Sequence, residues 1–97
     1  MKLSLDEKIL DLSGNQVLTP DGQTLTLANV LSTACVAPLE SDRSMSGEEK
    51  AKLFEMALKV VQGNSEFSIE DVAVMKRRIG MAYSPIVVGR SWKLLEG

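Results

Sequence analysis

Histidine is absent from this chain of 97 residues, and cysteine occurs once, at Cys35. Without an imidazole, every mechanism that uses histidine as base, proton shuttle or metal ligand is excluded. One cysteine also excludes an internal disulfide and a zinc site built from paired cysteines. The neighbours Ala34 and Val36 indicate that Cys35 is a small buried side chain rather than a reactive thiol. We therefore expect no catalytic residues, no metal site and no cofactor, and a protein that is not an enzyme.

Long apolar runs are also missing. The segment Ile86-Val87-Val88 is among the longest, a small fraction of the roughly 20 residues that a membrane span needs. Asp6, Glu7 and Lys8 come before any apolar stretch that could serve as the core of a secretory signal. We therefore expect a cytoplasmic protein without membrane association.

The composition is that of one folded domain. Apolar residues make up 44% of the chain and charged residues 25%, a balance typical of soluble globular proteins. A chain of this length has room for a single core, so we assign residues 1–97 to one domain.

Short apolar segments alternate with turn residues from about residue 8 to residue 26. Thr19-Pro20-Asp21-Gly22 has the residue order of a tight turn between strands. The pattern predicts a two- or three-stranded antiparallel β ribbon that has to pack on another element, because so small a ribbon is marginal in water. We identify no internal repeat.

Helical spacing of apolar residues follows the ribbon. It predicts helices at about 27–37, 46–62, 68–80 and 85–95, so the expected fold class is α+β, with the ribbon packed on three to four α-helices. Thr26 is placed to cap the first helix, Ser46 and Glu49 form a capping box, and Gly80 marks an end or a kink. The β-branched residues at 85–89 also fit a strand, but the N-terminal proline of this segment favours the helix.

The second helix carries an apolar stripe, which we expect to face the core: Ala51, Phe54, Ala57, Leu58 and Val61. The stretch from Pro38 to Met45 has no apolar periodicity and is predicted to be an exposed loop.

The net charge of −2 conceals an uneven distribution. Residues 1–49 contain three basic and eight acidic residues, whereas residues 50–97 contain eight basic and five acidic ones. No acidic residue interrupts the stretch 76–93, which holds five basic residues: Lys76, Arg77, Arg78, Arg90 and Lys93. They form one basic binding face if the last two helices pack antiparallel; otherwise they are a solvated surface that complements a helix dipole. Trp92 either closes the core or anchors a partner.

Several segments resemble small, uncharacterised proteins of tailed bacteriophages and prophages. They are Asp11-Leu12-Ser13-Gly14-Asn15, Leu25-Thr26-Leu27-Ala28-Asn29-Val30-Leu31, Ser46-Gly47-Glu48-Glu49-Lys50 and Ser84-Pro85-Ile86-Val87-Val88-Gly89-Arg90-Ser91-Trp92. The resemblance covers most of the chain and implies a location in the cytoplasm of a bacterial host. It also implies an accessory protein that works by contact, as an assembly factor, a virion component or a modulator of a host system.

The functional prediction is therefore a non-enzymatic protein that acts by protein contact. The expected partners are a second copy of the chain, giving a homo-oligomer, and an unknown phage or host protein. The alternative is a nucleic-acid-binding regulator that uses the basic residues of the last two helices, although nucleic acid is the less favoured partner because the net charge is negative.

Overall fold

Four α-helices make up most of the computed structural model, which describes residues 1–96. They are α1 (Leu27–Val36), α2 (Gly47–Val61), α3 (Ile69–Ala82) and α4 (Pro85–Leu95), with a short 3-10 helix, Glu40–Ser44, between α1 and α2. These bounds lie within two residues of the predicted ones. The segment 85–89 is helical rather than extended.

The starts of the helices follow from local side chains. The Thr26 hydroxyl accepts a hydrogen bond from the Asn29 backbone N–H at 3.3 Å, and the Asn29 side chain accepts one from the Thr26 N–H at 3.2 Å. Ser46 and Glu49 form the predicted capping box at the start of α2. Both caps satisfy N–H groups that the first helical turn leaves without partners.

The predicted α+β fold class is wrong, because residues 1–96 contain no β-strand and no sheet. Residues 8–26 make only isolated antiparallel bridges, at Lys8 with Thr26, Leu10 with Gln16 and Leu18 with Thr24, and a further isolated bridge joins Lys2 to Glu66. In a ribbon, the Leu10 bridge would be followed by one between Lys8 and Leu18. Instead each extended piece changes partner after a single bridge, so no ladder develops.

Three backbone hydrogen bonds close this segment into a triangle. The Ile9 N–H donates to the Leu25 carbonyl at 2.9 Å, the Val17 N–H to the Ile9 carbonyl at 2.9 Å, and the Leu25 N–H to the Val17 carbonyl at 2.8 Å. Each of the three residues therefore receives one hydrogen bond and gives one. We call residues 8–26 the triangular segment.

Ile9, Val17 and Leu25 lie eight residues apart and occupy equivalent positions in the triangular segment. The segment therefore contains an internal repeat of eight residues, and the prediction of no internal repeat is wrong. Two corners of the segment are equivalent turns, in which the Gly14 N–H donates to the Asp11 carbonyl at 3.2 Å and the Gly22 N–H to the Thr19 carbonyl at 2.9 Å. At the third corner the ends of the segment meet in the bridge between Lys8 and Thr26. Both glycines have a φ near +87°, the left-handed conformation that favours glycine. The repeat is hard to detect because the residues before the two glycines differ, Leu-Ser in one turn and Pro-Asp in the other.

α1 lies at the centre of the helical part and packs against α2, α3 and α4. It has the residues for that position, since five of its side chains are buried: Leu27, Val30, Leu31, Ala34 and Cys35. Burial raises the pKa of the Cys35 thiol to about 11, so the thiol is protonated and unreactive near neutral pH. The prediction of a buried Cys35 is confirmed.

α3 continues past Gly80 to Ala82, so the predicted helix end at residue 80 is wrong, and of the two predictions for Gly80 only the kink is left. We expect Gly80→Ala to stabilise the protein by up to about 1 kcal/mol, because alanine is the better residue in a helix. The added Cβ would lie 3.4 Å from the Trp92 ring, an ordinary contact. Urea unfolding measures the effect, with Gly89→Ala as control, because a Cβ at Gly89 meets no atom within 4 Å. A loss of stability in Gly80→Ala alone would contradict the expectation.

Candidate interaction surface

The structure separates the five basic residues of the predicted binding face into three places. Lys76 and Arg77 line a shallow depression beside Trp92, Arg78 points into the interior, and Arg90 and Lys93 line another depression, together with Leu12. Arg78 differs from Arg77 because successive residues of a helix point about 100° apart, which turns the Arg78 side chain toward the core.

Arg78 is 1% exposed and cannot contact a partner, which corrects its assignment to a binding face. Its guanidinium donates to both carboxylate oxygens of Asp42, at 2.7 and 3.0 Å. It also donates to the backbone carbonyls of Ala34 at 2.7 Å and Ala37 at 3.0 Å. Asp42 belongs to the 3-10 helix, which replaces the predicted exposed loop from Pro38 to Met45. Arg78 therefore joins the end of α1, the 3-10 helix and α3.

The electrostatics of the ion pair follow from its geometry. The hydrogen bonds from Arg78 hold the pKa of the Asp42 carboxyl below its usual value of 3.8, and the Leu39 N–H acts in the same direction. Asp42 correspondingly raises the pKa of Arg78. Because the carboxylate oxygens and the guanidinium satisfy each other, we assign this pair a structural role.

Arg90 is also used within the fold. Its guanidinium donates to the Leu10 carbonyl at 3.0 Å and to the Asp11 carbonyl at 2.8 Å. These bonds attach α4 to the first corner of the triangular segment. Arg90 therefore has fewer donors available for a phosphate than an unattached surface arginine.

Trp92 lies half-buried at the contact between α3 and α4. Its indole N–H donates to the Lys76 carbonyl at 3.1 Å, and the Lys76 ammonium lies 4.7 Å from the centre of an indole ring. The Lys76 ammonium is also 3.9 Å from a carboxylate oxygen of Glu96. The polar group of the indole is thus satisfied within the chain, and a basic side chain covers one ring face.

A group of exposed apolar side chains lies elsewhere, where α1 and α2 meet. It consists of four exposed side chains, Val36, Phe54, Leu58 and Val61, which we call the α1–α2 face. Phe54 is 57% exposed and Val61 is 72% exposed. A group of exposed apolar side chains of this kind is a candidate contact surface.

The exposure of the α1–α2 face corrects the expected core stripe of α2. Of the five stripe residues only Ala57 is buried, and the other buried residues of the helix are Leu53, Met56 and Val60. α2 is therefore apolar on two sides, and the packing of α1 covers only one of them. In the sequence, the stretch LFEMALKVV indicates a helix with two apolar sides, because it supplies enough apolar residues for both.

A groove of about 310 Å³ runs along the α1–α2 face. Its lining residues are all uncharged: Ser32, Thr33, Val36, Phe54, Ala57, Leu58 and Val61. Val36 and Phe54 also border a second, wider depression of about 770 Å³ toward the 3-10 helix, with Arg43 and Lys50 among its lining residues. The lining of this depression also includes Glu40 and Asp42, so the apolar surface is uncharged at its centre and carries side chains of both charges at one end.

In the part of the chain that the structure describes, no three metal-ligating side chains come together, and no helix has the length and apolar character to cross a membrane. Comparison with known families, with curated proteins and with solved structures gives no match for this chain. The α1–α2 face is therefore the feature on which a functional proposal has to rest.

Proposed function

We propose that this protein acts by protein contact, that the α1–α2 face is its contact surface, and that it self-associates there. The observation that carries the proposal is the grouping of Phe54, Leu58 and Val61 on the outer side of α2, next to Val36 of α1. Burying such side chains releases about 25 cal/mol for each Å² of apolar area, and an exposed aromatic at the centre of a patch is typical of the residues that dominate binding.

The lack of charge in the groove supports a second copy as the partner. A strongly charged partner would have to leave its charges without counterparts there, which costs free energy. The α1–α2 face of a second copy is equally uncharged at its centre, so contact between the two faces leaves no charge there without a partner. The proposed role is that of a non-enzymatic accessory protein, in the phage or prophage context that the resemblance stated in the sequence analysis implies.

The alternative, a nucleic-acid-binding regulator, has weaker support. Arg78 is buried, and Arg90 donates to two backbone carbonyls. Of the five basic residues, only Lys76, Arg77 and Lys93 are left to meet phosphates, and they line two separate depressions. Phosphate contacts made by few cations give weak binding at physiological salt.

The proposal is tested by placing a charge on the α1–α2 face. We expect the wild-type protein to self-associate in sedimentation velocity and Val61→Asp to sediment as a monomer, because a buried unpaired carboxylate opposes association. Ile69→Asp is the matched control, since Ile69 is also 72% exposed and helical but belongs to α3. It should associate like the wild type. Circular dichroism checks that both variants are folded.

Two outcomes would contradict the proposal. One is a wild-type protein that stays monomeric at every concentration tested. The other is a Val61→Asp variant that associates as strongly as Ile69→Asp, which would place the contact on another surface.

A further inference from the structure

Residues 38–44, which we call the strap, lie between α1 and α2 and include the whole 3-10 helix. No side chain of the strap is buried: Leu39 and Asp42 are half-buried, and the others are exposed. The free energy of burial grows with the apolar area that is removed from water. Apolar packing therefore contributes little to holding the strap against the helices.

The backbone of the strap forms hydrogen bonds only with nearby residues. The Asp42 N–H donates to the Leu39 carbonyl at 3.0 Å, and the Met45 N–H donates to the Asp42 carbonyl at 3.0 Å. The Leu39 N–H donates at 2.9 Å to the carbonyl of Ala37, the residue that follows α1. Within residues 1–96, no backbone hydrogen bond joins the strap to α2, α3 or α4. Outward movement of the strap would therefore leave the backbone hydrogen bonds of these helices intact.

Side-chain hydrogen bonds attach the strap to α3 at two places in the described part of the chain. The first is the ion pair, in which both carboxylate oxygens of Asp42 accept hydrogen bonds from Arg78. The second joins the Ser41 hydroxyl to the Met81 sulfur at 3.7 Å, and a thioether sulfur is a weak acceptor. The ion pair is therefore the strongest attachment of the strap.

The strap forms one wall of the large depression beside α2. This depression holds about 770 Å³ and lies between strap residues, among them Leu39 and Asp42, and the α2 residues Leu53 and Phe54. Cys35 also borders the depression but is only 2% exposed. The buried thiol is thus next to the strap, and displacement of the strap would open this side of Cys35 to water.

We infer that the strap opens as a unit when the pair of Asp42 and Arg78 separates, while the four helices remain folded. Segments with few buried contacts open locally at a lower cost in free energy than unfolding of the whole domain. The open strap exposes the Cys35 thiol and widens the depression beside the α1–α2 face, since Val36 and Phe54 border both. One ion pair therefore controls access to this side of the interior. The inference goes beyond the proposed function and does not depend on self-association.

Labelling of Cys35 with a maleimide measures the opening, because the chain has only one cysteine. In the wild type we expect slow labelling at a rate that changes little with urea below the unfolding transition, because opening of the strap exposes little surface. Asp42→Asn keeps the size of the side chain and removes its charge. We expect it to be labelled at least about tenfold faster, since losing one partner of the pair destabilises the closed strap. Glu40→Gln makes the same change at an exposed acid of the strap and should be labelled like the wild type.

Three results would overturn the inference. Labelling of a folded Asp42→Asn at the wild-type rate would show that the ion pair does not hold the strap, and circular dichroism checks that the helices of this variant are intact. A wild-type rate that rises with urea as steeply as global unfolding would show that Cys35 is exposed only when the whole domain unfolds. This second measurement decides the question even if Asp42→Asn does not fold. A wild-type thiol that reacts as fast as a free cysteine would show that the strap does not cover it.

Discussion

Asp42→Ala is expected to lower the free energy of unfolding by about 3 kcal/mol, one of the two largest effects that we predict. The substitution leaves the guanidinium of Arg78 inside the protein, with its side chain 2% exposed and without a counter-charge. Removing one partner of a buried ion pair costs about 3 to 5 kcal/mol. We expect the lower end of this range because the carbonyls of Ala34 and Ala37 continue to accept hydrogen bonds from Arg78.

Urea unfolding at neutral pH measures the effect, and Glu40→Ala supplies the control. Glu40 is an exposed acid of the same 3-10 helix, so its loss is expected to change stability by less than about 0.5 kcal/mol. Equal effects of the two substitutions would show that the ion pair contributes no more than an ordinary surface charge.

The same pair predicts how stability depends on pH. Because the pKa of Asp42 is lower in the folded protein than its usual value of 3.8, its ionised form stabilises the fold fully above that value. This contribution is lost as the pH falls through the lowered pKa, when the folded protein takes up the proton. The difference in the free energy of unfolding between the wild type and Asp42→Ala should therefore become smaller below pH 3.8. If this difference stays constant as the pH is lowered below 3.8, the assignment of a lowered pKa to Asp42 is wrong.

Ile9→Ala is expected to lower the free energy of unfolding by about 3 kcal/mol, within the range for deleting a buried aliphatic side chain. Ile9 is 0% exposed and stands at the start of the backbone triangle, where it joins the helical core. The physical cause is the loss of apolar contacts together with the cavity that the smaller side chain leaves behind.

Leu18→Ala is the matched control, because Leu18 lies in the same segment but is 59% exposed. We expect a change within about 0.5 kcal/mol. Urea unfolding followed by circular dichroism at helical wavelengths measures both variants. If Ile9→Ala left the unfolding of the helices unchanged, the triangular segment would be an independent appendage and not part of the core.

The helices were predictable from the sequence, and the triangular segment was not. Caps such as Thr26 and Ser46 act on N–H groups three residues away, so their effect is readable locally. A β ribbon depends on which extended piece pairs with which. The turn at Thr19–Gly22 was predicted correctly, but the strands that it was expected to join are absent, because the change of partner after each bridge is a property of the closed triangle.

The candidate surface was less predictable because helix patterns do not say which side is covered. α2 has apolar residues on two sides, and the sequence analysis assigned the stripe with Phe54 to the core. Similarly, Arg78 is one position from Arg77 in sequence, yet one is buried and the other exposed. Nothing in the run of basic residues marks Arg78, since its partner Asp42 lies 36 residues away.

By itself the sequence determined where the four helices lie, to within two residues, and which residue types are missing, because capping, helical spacing and residue type are local properties. Only the tertiary structure decided which apolar stripe of α2 remains free, which arginine enters the core and how the extended pieces close on one another. Those outcomes depend on contacts between residues far apart in the chain. Their free energies come from burial and from paired charges, which no stretch of sequence specifies alone.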